Sequence, residues 1–140
     1  MQPSVDSNVR PPVSDVVNYG GYLTELANCA ECHSPQTPAG PDRTRMYAGG
    51  YVFDLGTNKV VSANITPDST TGMGSWTEER FLSKFTIYRD STQFMRDHGN
   101  QNTIMPVSMY AGMKDEDLKA IYAFLRTVKP IRNTVEKFPR

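Results

Sequence analysis

The sequence predicts a small helical domain with much loop. Three segments carry apolar residues at helical spacing, glycine and proline crowd the middle of the chain, and 140 residues are enough for one domain. Residues 1–12 read as a flexible lead-in, because Pro3, Pro11 and Pro12 donate no backbone hydrogen bond and few apolar side chains lie between them. Ser14 or Asp15 can then cap a first helix on which Val16, Tyr19, Leu23 and Leu26 share one face, and that face runs straight into Cys29. A second helix is expected from about Thr77 to Tyr88. Thr77 is its N-cap, Glu78 and Glu79 favour its positive end, and Phe81, Leu82, Phe85 and Tyr88 form its stripe. The third is the clearest. Asp115, Glu116 and Asp117 load its first turn, Leu118, Ile121, Tyr122, Leu125 and Val128 line one face, Arg126 and Lys129 suit its negative end, and Pro130 stops it. The folded unit therefore spans 13–130, with an extended tail over 131–140.

Between the helices the chain is punctuated. Pro35, Pro38, Gly40, Pro41, Gly49, Gly50, Gly56, Pro67, Gly72 and Gly74 mark 34–75 as loop. Tyr51-Val52-Phe53 and Lys59-Val60-Val61 flank a Gly-Thr-Asn turn and are expected to form a short hairpin. Asp90 to Gly112 reads as a second loop, with a short helix around Gln93. No internal repeat is evident.

Composition removes several functions. Fifteen basic and fifteen acidic residues balance, so no broad basic surface for nucleic acid is expected. No run approaches the ~20 apolar residues of a membrane span. The start Met1-Gln2-Pro3-Ser4 lacks the charged and apolar pattern of a secretory signal, so the chain reads either as cytosolic or as a segment without its signal or anchor. No nucleotide-binding glycine fingerprint and no recognisable order of catalytic Ser, His and Asp occurs. The expectation is a protein that is not itself an enzyme.

Only two cysteines are present, and they fall in Cys29-Ala30-Glu31-Cys32-His33. Cys-x-x-Cys-His is the attachment signature of c-type haem. Two thiols three positions apart on a helical turn project to one side, so each can form a thioether with a haem vinyl group, and the next imidazole meets the iron. Such a histidine normally donates its other ring N–H to a backbone carbonyl. Covalent haem also supplies apolar core that 38% hydrophobic residues would otherwise have to provide.

Three other readings of the motif compete with this one. A zinc site from Cys29, Cys32, His33 and His98 is disfavoured, because adjacent Cys32 and His33 sit awkwardly on one tetrahedral ion. A thioredoxin-like pair needs a strand leading into a helix N-terminus that lowers the thiol pKa, whereas a helix leads into this motif. Two buried structural cysteines would make the spacing and the neighbouring histidine a coincidence.

The sixth iron position calls for a soft ligand, and Met105 is the candidate: it lies far downstream in a loop, stiffened by Pro106. Met109 and Met113 read as ordinary core methionines. His98 would give bis-histidine ligation, but between Asp97 and Gly99 it reads as a solvated surface residue.

These residues resemble class I c-type cytochromes, and more narrowly the haem domains of cytochrome subunits that serve membrane-bound alcohol and aldehyde dehydrogenases. The likeness rests on Gly20-x-Tyr22-Leu23 before the Cys-x-x-Cys-His motif, on Ser62-Ala63-Asn64-Ile65-Thr66-Pro67-Asp68, on Thr71-Gly72-Met73-Gly74-Ser75-Trp76-Thr77, and on Met105-Pro106 followed by Tyr110 and 113–126. It implies an all-α cytochrome c-like domain whose first and last helices cross around one covalently bound haem. Gly20 would permit the close approach, with Tyr22 beside it and Ile121 and Phe124 facing it. The resemblance also makes Met105 the axial ligand, sets Asn64 and Ile65 along the haem edge near a propionate, and lets the Trp76 indole donate a hydrogen bond there. Three departures stand out. Alcohol dehydrogenase subunits carry three haem motifs and this chain one, Lys114 stands where the family usually has Thr or Ser, and Asp90 to Thr103 matches poorly.

The functional expectation is one-electron transfer by a single haem c with His/Met ligation, serving redox partners such as a dehydrogenase, a quinol-oxidising complex or a terminal oxidase of a respiratory chain. The alternatives are a haem relay domain of a larger respiratory complex or dehydrogenase, and a haem sensor or ligand-binding domain. Because haem c is attached outside the cytoplasm, the expected location is periplasmic or the outer face of the cytoplasmic membrane. Membrane association would come only through a missing anchor or a membrane-bound partner.

Overall fold

The computed structural model describes residues 9–140; the first part of the expected lead-in lies outside the described residues. Among the described residues six α-helices and two small antiparallel strand pairs are connected by loops. Helix α1 spans Val16–Leu26 and is capped by Asp15, whose side chain accepts from the Asn18 amide. Its C-cap Ala27 is followed by Asn28 in the left-handed region (φ 54°), which turns the chain into a separate one-turn helix α2, Cys29–Cys32. The cysteines therefore do not continue the first helix: they occupy the ends of their own turn.

Strand pairs β1/β2 (Gln36–Thr37 and Gly40–Pro41) and β3/β4 (Val52–Asp54 and Lys59–Val61) follow, the second being the hairpin expected from sequence. Helix α3, Glu78–Thr86, starts at the Thr77 cap, whose hydroxyl accepts from the Arg80 amide at 3.1 Å, and continues as one 3-10 turn over Ile87–Arg89. Then come α4 (Ser91–Phe94), a 3-10 turn at Gly99–Gln101, α5 (Val107–Ala111) and α6 (Asp115–Leu125). Helix α6 has no side-chain cap from Lys114. Arg89 spans the gap, donating to the Ala111 and Met113 carbonyls and to the Asp115 carboxylate, each at 2.8 Å.

Phe81 and Phe85 of α3 meet Leu118, Ile121 and Leu125 of α6, with Tyr47, Met73 and Val128 closing the core. The centres of both stripes are buried, while Leu82, Tyr88 and Tyr122 are half-buried at their edges. Helix α1 differs. Val16 and Leu26 stay exposed, and the buried positions are Tyr19, Gly20, Gly21 and Thr24. Helices α1 and α6 pack so closely that a Cβ on Gly20 would run into the Ala120 carbonyl, while one on Gly21 would meet only the Phe124 ring edge at 3.1 Å. Thr24 suits this seam because its hydroxyl donates back to the Gly20 carbonyl at 2.7 Å and leaves no loose polar group. At the far end the Tyr19 hydroxyl donates to Asp117 at 2.8 Å.

The tail has no regular secondary structure but is firmly held. Asn64 donates its amide to the Ile131 carbonyl (2.8 Å), the Asn133 carbonyl (3.3 Å) and Thr71 Oγ1 (3.1 Å), and its Oδ1 accepts from the Thr66 amide and hydroxyl. Asn133 donates to the Ala48 carbonyl at 2.9 Å, and the Val61 amide of the hairpin donates to the Lys137 carbonyl at 2.8 Å. The last residues thus strap the central loop to the hairpin.

Burial raises the pKa of Tyr19, with the bonded Asp117 carboxylate adding to it and Arg10 opposing it; burial likewise raises Tyr47. The folded state holds these protons beyond the ordinary value of 10.0, where the unfolded chain has begun to lose them. Their contribution is complete below that pH and is lost as pH rises through the raised folded values. Urea midpoints measured below and above the ordinary tyrosine pKa are expected to fall with pH, and Tyr19→Phe is expected to flatten that fall while losing about 1 kcal/mol at neutral pH.

Candidate functional site

The site is assembled from the Cys–His turn, the loop that faces His33, and the Met105 segment. Cys29 and Cys32, the first and last residues of one helical turn, are both free thiols; Cys29 is half-buried and Cys32 exposed. Burial, with the nearby Cys32 sulfur adding to it, pushes the Cys29 thiol up to about 12. A thioredoxin-like thiol is lowered at a helix N-terminus, and burial moves Cys29 in the other direction. Among the described residues no group of three or more His, Cys, Asp or Glu could hold a metal ion, so the zinc cluster with His98 does not assemble.

His33 follows directly, its amide donating to the Cys29 carbonyl at 2.8 Å. Its Nδ1 lies 2.7 Å from the Ala63 carbonyl oxygen. A carbonyl only accepts, so Nδ1 carries the proton and the Nε2 lone pair is left to bind a metal. Burial also lowers the imidazole pKa, which favours the neutral ligand form. Gly49 makes this contact possible. It adopts φ +71°, its amide donates to the His33 carbonyl at 2.7 Å, and a Cβ there would sit 2.6 Å from the Ala63 oxygen. Ala63 is held in turn by its neighbours: Ser62 bonds Tyr51 and Gly50, and the Ile65 amide donates to Tyr47.

Met105 is half-buried against the core and lines a cavity of about 750 Å³, within the range of ligand and cofactor pockets. Pro106 and Val107 adjoin it in the lining, Phe94 comes from the end of α4 and His98 from the segment after it, and Lys137 and Phe138 come from the tail. The wall carries Met105 and not the Cys–His turn itself. The two halves are tied by Tyr110 of α5, whose hydroxyl donates at 2.8 Å to the Ala27 carbonyl, two residues before Cys29. Met113 packs at the core edge, and Met109 is 73% exposed rather than buried as expected, because α5 turns that face to solvent.

Asn64 lies at the boundary of the core and the tail, and Ile65 and Trp76 at the edge of the core. The Asn64 amide is spent on the tail and Thr71, as described above, and Ile65 packs half-buried against the core. Trp76 packs against the core with Arg80 and Lys84 over its ring, at 4.6 and 5.2 Å from the centroid. In the sequence Gly49 reads only as a loop marker, and Ala63 and Tyr110 only as parts of stretches that carry the family likeness; none of them, nor Lys137, is given a role at the site. The Gly49–Gly50 pair was the one available signal.

The residues fit a covalently held haem: two unpaired thiols on one turn, an imidazole with a fixed tautomer, and a thioether on the wall of a large cavity. Comparison with known proteins points the same way. The family model for cytochrome c matches residues 17–129. A fructose dehydrogenase cytochrome subunit from Gluconobacter japonicus is 35% identical over 133 residues, covering 93% of this chain and 24% of the relative. A gluconate 2-dehydrogenase cytochrome c subunit from Pantoea cypripedii is 34% identical, covering 83% and 24%. The cytochrome c subunit of a quinone alcohol dehydrogenase from Gluconobacter oxydans is 29% identical, covering 83% and 22%. This chain belongs to the cytochrome c family, whose members carry covalently bound haem c and transfer electrons. It spans about a quarter of the length of these relatives. Among the described residues no helix is long and apolar enough to cross a membrane.

Proposed function

We propose that residues 13–130, strapped by 131–140, form a single-haem electron-transfer domain. Cys29 and Cys32 hold the haem through thioethers, and His33 and Met105 are its axial ligands. Haem supplies the one-electron couple when bound. The chain's part is to anchor, orient and shield. The observation that carries this reading is the His33 Nδ1 contact with the Ala63 carbonyl at 2.7 Å, which leaves the Nε2 lone pair to bind iron on the residue that follows the Cys29–Cys32 turn. Redox proteins exchange electrons with it through small, transient contacts, and a dehydrogenase is the natural donor given the names of the relatives. That these relatives are some four times longer favours a second reading, in which this unit relays electrons inside a larger assembly. Either role puts it on the periplasmic side of the cytoplasmic membrane, where haem c is attached.

The test is a denaturing gel stained for haem, together with an optical spectrum of the protein produced alongside a haem-attachment system. The expected result is haem that stays with the denatured chain, and a low-spin c-type spectrum with the weak far-red band of iron–methionine ligation. Cys32→Ala is expected to lose one thioether, which shifts the reduced α-band and lowers the yield of retained haem. A colourless product, or full retention in a Cys29→Ala/Cys32→Ala double variant, would overturn the reading.

A further inference from the structure

Resting on the haem reading above, we propose that Lys137, backed by Lys84, is a carboxylate-binding residue that takes the propionates of the haem. Lys137 stands on the rim of the cavity that contains Met105, and its backbone is pinned there by the Val61 amide at 2.8 Å. The strap therefore fixes the backbone from which the ammonium reaches, with Nζ over the Phe138 ring at 5.2 Å from its centroid. Among the described residues neither Lys137 nor Lys84 forms an ion pair, although Lys59, Arg89 and Lys119 each find a carboxylate. The cavity wall includes one acidic residue, Asp97, and its Oδ1 accepts from the Gly99 amide and the Asn102 side chain. Arg96 adds positive charge to the same wall. Desolvation, and then the neighbouring Lys84 charge, lower the Lys137 pKa. Of the donors the resemblance assigns to the propionates, the Asn64 amide is bonded to the Ile131 and Asn133 carbonyls of the tail. A dianionic haem edge would offset the charge of Lys137 and Lys84 and gain charge-assisted hydrogen bonds.

The test compares haem-loaded wild type, Lys137→Met, Lys137→Arg and Lys84→Met. The readouts are the midpoint potential and the resonance Raman propionate-bending band of the reduced form. Lys137→Met is expected to shift that band and lower the potential, because uncompensated carboxylates favour the ferric state. Lys84→Met should move both in the same direction by less, and Lys137→Arg should restore most of the wild-type values. Inorganic phosphate should leave the wild-type potential unchanged. Haem attached with intact methionine ligation, but with band and potential equal in wild type and Lys137→Met, overturns the proposal while the haem reading stands. A phosphate-dependent wild-type potential overturns it too, since a free anion would then occupy the site. Failure of the wild type to carry haem overturns both.

Discussion

Met105→Ala is expected to lower the reduction potential by a sizeable fraction of the roughly 0.8 V over which haem ligation and environment tune it. The far-red band should disappear and the reduced protein should bind carbon monoxide. The thioether is a soft, neutral ligand that stabilises ferrous iron relative to ferric, so its loss favours the oxidised state. The chain is well held around this methionine. Its amide donates to Thr103 Oγ1 at 3.1 Å, the Val107 amide donates to its carbonyl at 2.7 Å, and the following segment is latched to the Cys–His turn through Tyr110. The backbone is thus held on both sides of the side chain. Met109→Ala is the control: with 73% of that residue exposed, neither potential nor spectrum should change. His98 lies on the same cavity wall as Met105. Capture of the iron by His98 in the variant would keep a low-spin spectrum and exclude carbon monoxide, and His98→Ala in the Met105→Ala background should then restore gas binding. An unchanged potential in Met105→Ala would remove Met105 from the iron. Stability should drop by about 2 kcal/mol, the low end for a methionine truncation, because the side chain is only half-buried.

What could be read in advance depended on whether the side chains themselves carry the information. Helices α3 and α6 were legible because Phe81, Phe85, Leu118, Ile121 and Leu125 are both the apolar stripe and the buried face. The Cys29–Cys32 spacing was legible because it is a property of one helical turn. Helix α1 was found but its face misjudged, since the residues that pack against α6 include Gly20, Gly21 and Thr24, which give no hydrophobic signal. Asn28 ends that helix in a left-handed conformation that asparagine tolerates but does not announce. Helix α5 has five residues, too few to show a period. The acceptor for His33 is a main-chain carbonyl, which any residue at 63 could supply, so only the fold reveals it. The strap is likewise a long-range fact: Asn64 and Ile131 meet across 67 positions of sequence, and no local pattern marks either as a partner.

Gly20→Ala is expected to destabilise the protein, although alanine is the better helix former by about 1 kcal/mol. The added Cβ collides with the Ala120 carbonyl and comes within 3.1 Å of the Phe124 Cβ. The first obstacle is backbone in the middle of α6, so relief requires α1 and α6 to separate rather than one side chain to turn. Such overpacking costs about 1–3 kcal/mol and occasionally more. Because the crossing is a rigid backbone contact, the upper part of that range should apply, and the balance after the propensity gain is a loss of about 2 kcal/mol. For a domain near this size that is a fall of roughly 4–8 °C in melting temperature. Gly21→Ala isolates the cause. It has the same propensity gain, but its Cβ meets only the Phe124 ring at 3.1 Å, and a ring edge can swing away. Its stability should stay within about 0.5 kcal/mol of wild type. Thermal melts of the two variants side by side decide the matter: equal stabilities would mean that α1 and α6 do not cross at Gly20. The consequence reaches the site, because α1 leads through Ala27 and Asn28 into Cys29. Separating the helices shifts the Ala27 carbonyl that Tyr110 bonds, and with it the latch between the cysteine turn and the Met105 segment. Gly20→Ala should therefore weaken the far-red methionine band at temperatures below its own melting transition, while Gly21→Ala leaves that band intact.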